Sequence, residues 1–93
     1  GTSGSSTSMS VRDLELGMEG ADVRMLQEIL IGRNEGPMAV ALAGIGATSY
    51  FGTYTRDALA EYQGLYGIVP PIGYFGIITR TQMKGAGLTG LWW

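Results

Sequence analysis

Tyr50-Phe51-Gly52-Thr53-Tyr54-Thr55-Arg56 and Tyr74-Phe75-Gly76-Ile77-Ile78-Thr79-Arg80 are one phrase written twice, 24 positions apart. The copies agree as Tyr-Phe-Gly-x-x-Thr-Arg, and such agreement within 93 residues means that a turn-into-helix unit is built twice. The physical reading of each part is local. Phe fills a small core, Gly lets the chain turn, and Thr satisfies free N–H groups near a helix start. Nothing in the phrase is an obvious catalytic group.

Working outward, the phrase opens two helices. The first is expected over roughly 54–66, with Ala58, Leu59, Tyr62 and Leu65 facing inward and Gly67 as its C-terminal stop. The second is expected over roughly 77–84, ended by Gly85 and Gly87. Upstream, Gly20 to Ile31 places Val23, Leu26 and Leu30 on one stripe, with Asp22 in the first turn and Gly32 after it. This predicts a third helix. Between the two helices that the phrase opens stands Ile68-Val69-Pro70-Pro71-Ile72-Gly73, whose paired prolines predict a rigid extended connector. Gly32 to Ser49 is an 18-residue span with an apolar middle, Met38 to Ala47, expected to lie against the helices as an extended or single-turn segment. The expected fold is therefore mainly α, a small three-helix bundle with long irregular connectors.

Composition narrows the chemistry. The chain has no Cys and no His, which removes disulfides, Cys- or His-based zinc sites and every His- or Cys-based catalytic arrangement. Apart from Ser49, every serine lies within Gly1–Ser10, a Gly/Ser/Thr-rich opening that reads as a flexible tag or linker ahead of a domain over 11–93. Net charge is −2 and the six basic residues are scattered, so no footprint for a phosphate backbone is present and no nucleic-acid partner is expected. No stretch is long and apolar enough to predict a membrane span, and no signal peptide is read. Asp57 and Glu61 stand at i and i+4, the spacing of two carboxylates on one helix face. Without an apolar pocket to raise one pKa, they read as surface charge rather than as an acid and base pair. Neither enzymatic activity nor a cofactor is expected.

Three blocks, in order, carry a family resemblance: Gly17-x-x-Gly20-x-x-Val23-x-x-Leu26-Gln27-x-x-Leu30, then Phe51-Gly52-x-x-Thr55-x-x-Ala58-x-x-x-Tyr62-Gln63, then Gly73-x-Phe75-Gly76-x-x-Thr79. Together they resemble the type 1 peptidoglycan-binding domain across residues 14–84. The resemblance implies a non-catalytic cell-wall binding module, appended to a cell-wall hydrolase and located in the cell envelope or outside the cell. Its ligand would be the glycan or the stem peptide of bacterial peptidoglycan. The chain departs from the family's pattern where Tyr62 replaces the commoner Phe and where Thr53 and Ile77 replace Pro.

Candidate ligand-binding residues follow from chemistry. Tyr50 and Tyr74, beside the turns, offer rings that can stack on a sugar face. Arg56 and Arg80 suit the carboxylates of stem peptides through paired N–H donors, and Tyr62 brings a hydroxyl. Gln27 and Gln63 are expected to hydrogen-bond a connector's backbone rather than to enter a groove. The alternative reading keeps the fold and drops the glycan. In it, a protein-interaction or packing domain uses the apolar connector and the terminal Trp92-Trp93.

Overall fold

The computed structural model describes residues 12–88. The proposed linker at 1–10 and the Trp92-Trp93 end lie outside them. Among the described residues four helices follow one another: α1 (Ala21–Arg33), α2 (Pro37–Ile45), α3 (Thr53–Leu65) and α4 (Ile77–Gly85). The domain is mainly helical, and α1, α2 and α3 pack against one another.

α1 buries the expected stripe of Val23, Leu26 and Leu30. It does not end at Gly32. The helix continues to Arg33, and Asn34 takes the left-handed conformation (φ 50°) while its N–H bonds the Leu30 carbonyl. In α3, Ala58, Leu59 and Tyr62 are buried as expected, but Leu65 at the last position is exposed.

The extended or single-turn segment expected within 32–49 is instead a nine-residue helix, α2. Pro37 stands at its first turn, where a missing N–H costs nothing. The next two free donors, Met38 N–H and Ala39 N–H, bond the two carboxylate oxygens of Glu61 from α3 at 3.2 and 3.1 Å. A Cβ on Gly36 would stand 2.4 Å from that carboxylate, so glycine is what admits it. Only Ala39 and Leu42 of α2 are buried, and the outward face is apolar as well, with Met38, Val40 and Ile45 exposed, which hides the helical period from the sequence.

α3 and α4 stop by the same device. Gly67 (φ 70°) and Gly87 (φ 84°) adopt the left-handed region, and the next residue's N–H reaches back five positions: Ile68 to the Gln63 carbonyl, Leu88 to that of Met83, both at 2.9 Å. The connector from Ile68 to Gly73 is non-helical but bent rather than extended. Its Val69-Pro70 bond is cis and Ile72 N–H bonds the Pro70 carbonyl.

The repeated phrase organises the centre. Phe51 and Phe75 are fully buried, and each contributes about 1.5–3 kcal/mol of apolar burial. Their backbones are held by one segment near the N-terminus. Leu14 exchanges two hydrogen bonds with Phe75 (3.0 and 2.8 Å), while Gly17 N–H bonds the Phe51 carbonyl and Phe51 N–H bonds the Met18 carbonyl, both at 2.8 Å.

Each copy is also gripped by a buried glutamine from an earlier helix, α1 for the first copy and α3 for the second. Gln27 donates from Nε2 to the Tyr50 carbonyl and to Thr55 Oγ1, both at 2.9 Å, and its Oε1 accepts from Ser49 N–H at 2.9 Å. Gln63 repeats the pattern with the Tyr74 carbonyl (2.8 Å), Thr79 Oγ1 (3.0 Å) and Gly73 N–H (2.9 Å). The expectation for the glutamines holds. That for the threonines does not: neither Thr55 nor Thr79 caps its helix, and both receive the glutamine instead.

The residue before each phrase has positive φ, 72° at Ser49 and 81° at Gly73. Gly73 is also confined, since a Cβ there would lie 2.5 Å from the Arg56 carbonyl oxygen. Gly73→Ala is therefore expected to destabilise by roughly 3 kcal/mol or more, whereas Ser49→Gly relieves strain and stabilises by roughly 0.5–1 kcal/mol. Urea unfolding of the two variants checks the opposite signs. In the same assay, Gln27→Ala and Gln63→Ala should each cost about 2–4 kcal/mol by stranding buried partners. Gln63→Glu should do no better, because it turns an acceptor toward the Tyr74 carbonyl.

Candidate functional site

Each copy of the phrase borders a groove, and the two grooves are built from equivalent positions. The first, about 560 Å³, has Thr48, Tyr50, Thr53 and Tyr54 on its walls. The second, about 220 Å³, has Ile72, Tyr74, Ile77 and Ile78 at the positions 24 later. Gln27 with Thr55 and Gln63 with Thr79 form the respective floors. The frame is duplicated and the chemistry is not.

Glycine in the phrase serves the groove rather than the turn. Gly52 (φ −97°) and Gly76 (φ −112°) are in ordinary extended backbone, open to any residue. A Cβ on either would meet the ring of the phrase's own tyrosine, at 3.3 Å for Tyr50 and 3.1 Å for Tyr74. The tyrosine therefore folds back over the glycine and presents its other face outward. Tyr50 and Tyr74 are partly exposed, as their candidacy requires.

The first groove adds a second ring. Tyr54 is half exposed, and with Tyr50 it flanks an opening edged by Leu16, Ile45 and the hydroxyl-bearing Thr48 and Thr53. Flat apolar faces beside hydroxyls are the surface a pyranose ring needs. The second groove is aliphatic: Val69, Ile72, Ile77 and Ile78 are all largely exposed along it. At its edge, Asp13 accepts from Arg80 Nη1 and from the Tyr74 hydroxyl, both at 2.7 Å.

Three sequence candidates do not present their groups to either groove. Tyr62 is only 3% exposed; its hydroxyl donates to Gln82 Oε1 at 2.6 Å and its ring lies 4.5 Å from that of Tyr66. Burial pushes its phenol pKa up. The Arg80 side chain is 12% exposed, tied to Asp13 and set over the Phe75 ring, so it braces the N-terminal segment against α4 instead of awaiting a carboxylate. Arg56 pairs with its neighbour Asp57 at 3.1 Å and lines neither groove. Asp57 and Glu61 each have another partner: Asp57 pairs with Arg56, and Glu61 caps α2.

Residues the sequence reading passed over are Thr48, Thr53 and Tyr54 in the first groove and Asp13, Ile72, Ile77 and Ile78 in the second. A signal existed. Residues 53–54 and 77–78 are the two variable positions inside the repeated phrase. Among the described residues, no group of three or more His, Cys, Asp or Glu could hold a metal ion, and no helix is long and apolar enough to cross a membrane. A scan against protein-family models and searches of curated proteins and of solved structures return no match.

Three carboxylates are held below their usual range: Asp13 by Arg80 and then Tyr74, Asp22 by Arg12, and Glu35 chiefly by the Tyr66 hydroxyl. A depressed folded-state pKa means that the unfolded chain binds protons first. The stabilisation is then complete above the unfolded value and lost as the pH falls through the folded one. The thermal midpoint should be level from about pH 5 to 8 and fall below about pH 4. Asp13→Asn should lower the plateau and make the acid limb shallower in the same melting series.

Proposed function

We propose that this domain is a non-catalytic binding module for bacterial peptidoglycan, with a glycan strand lying in the first groove. The observation that carries the reading is the pair Tyr50 and Tyr54, 48% and 51% exposed, flanking an open groove whose remaining polar wall is hydroxyl. The Tyr50 ring, folded over Gly52 beside the buried glutamine clamp, is pre-organised, so little side-chain entropy is lost when it stacks. The resemblance carried by the three sequence blocks supports the same ligand. In this reading the module holds an attached cell-wall hydrolase on its substrate, in the cell envelope or outside the cell. Its binding residues are Tyr50 and Tyr54, with Tyr74 at the second groove.

A second reading, a protein-interaction domain, is favoured by one observation: the exposed β-branched side chains Val69, Ile72, Ile77 and Ile78 on a single face. It differs in ligand and not in fold. Concentration-dependent sedimentation of the isolated chain, with no retention on cell walls, is its signature.

Purified sacculi decide between them. The domain should pellet with sacculi at low salt. Tyr54→Ala and Tyr50→Ala, both at exposed positions, should each weaken retention by about fivefold, the loss of roughly 1 kcal/mol of ring contact. A protein that stays in the supernatant, or variants that pellet like the parent, would sink the glycan reading.

A further inference from the structure

The second groove has lost what suits a sugar and kept its frame. Where the first groove has Thr48, Thr53 and Tyr54, it has Ile72, Ile77 and Ile78, so hydroxyl-bearing side chains are replaced by branched alkyl groups at these three positions. One end of this aliphatic trough is acidic. The Asp13 side chain is 45% exposed there, each of its oxygens accepts one bond from Arg80 or Tyr74, and a carboxylate oxygen can accept a second. Glu15 adds negative potential at the Tyr74 hydroxyl. The nearby cation, Arg80, is turned inward onto Asp13 and covered.

We propose that the second groove binds an aliphatic side chain ending in an ammonium group, that of a lysine or another diamino acid within a peptide. The methylene stem lies along Ile72, Ile77 and Ile78, and the ammonium reaches the free lone pairs of Asp13. Long cationic side chains cover apolar surface in this manner while keeping the charged end solvated. An anionic group is disfavoured by Asp13 and Glu15, and a sugar finds no hydroxyl partner on the aliphatic wall. The assignment rests on the peptidoglycan reading only for its source: a stem peptide carrying a diamino acid would bring that side chain to the second groove while its glycan lies in the first.

The test is methyl-detected NMR on the whole chain, titrated with acetyl-Ala-Lys-Ala-amide and with the same peptide carrying norleucine or Nε-acetyllysine in place of lysine. The lysine peptide should shift the methyl signals of Ile72, Ile77 and Ile78, with about fivefold weaker binding for both neutral peptides, the scale of one exposed ion pair. Asp13→Asn should erase the difference between the peptides. Because Asp13 also braces Arg80, a second variant leaves it untouched: Ile72→Thr with Ile78→Tyr installs the first groove's residues at exposed positions and should abolish the isoleucine-site binding. Equal affinity for lysine and norleucine, shifts centred elsewhere, or no shifts at saturation would overturn the proposal. A parallel titration with a chito-oligosaccharide, read at Tyr50 and Tyr54, separates the two assignments. Silence there with a lysine response removes the glycan reading alone, and retention on sacculi without a lysine response removes this one alone.

Discussion

Two buried glutamines hold this domain together. Each occupies a core position, where an unpaired amide would cost about 1–3 kcal/mol per group, and each is engaged by two atoms of a copy of the phrase and one of the residue before it. The carboxamide has a donor end and an acceptor end; the phrase offers a carbonyl and a hydroxyl to one, and the preceding residue offers an N–H to the other. That complementarity fixes the rotation of α1 against the start of α3, and of α3 against the start of α4. α3 is both the helix gripped by Gln27 and the helix that supplies Gln63, so the two units are coupled in series. The residue before each phrase takes positive φ because its N–H must point back at the glutamine.

From that constraint the grooves follow. The glutamine holds the tyrosine's carbonyl inward, the phenylalanine side chain enters the core, and the tyrosine ring folds back over glycine. The phrase thus divides its labour by position. Residues shared by both copies build the frame, apart from the tyrosine rings that also face solvent, and the variable pair after glycine supplies the walls. The difference at that pair changes groove chemistry without touching the clamp, which is how one small scaffold carries a hydroxyl-rich aromatic groove and an acid-edged aliphatic one.

Much of the fold was legible because its signals are local or repeated. The stripe Val23, Leu26, Leu30 reported α1, and the phrase reported the starts of α3 and α4. α2 was not legible. Its cap is Glu61, from a helix more than twenty residues away, and its exposed face is apolar like its buried one, which blurs the period. The same distance dependence explains the site. Tyr50 and Tyr74 could be named from their place beside a turn, whereas Arg80 looks free in sequence and is committed in space to Asp13, 67 positions earlier. Tyr62 looks amphipathic in sequence, and Gln82 of α4 satisfies its hydroxyl inside the protein.

By itself, then, the sequence determined the helical class, the duplicated unit, the buried phenylalanines and the backbone role of the two glutamines. These depend on periodicity, glycine and proline constraints and the need to satisfy buried polar groups, all of which act over a few residues or recur in a pattern. Tertiary structure alone decided the remainder: that the phrase's glycine makes room for a ring, that its threonine receives a glutamine, that three of the candidate arginines and tyrosines are spent internally, and that the phrase's unmatched residues face two grooves. Each of those outcomes depends on which distant group arrives within hydrogen-bonding or van der Waals range, and only the folded chain brings those groups together.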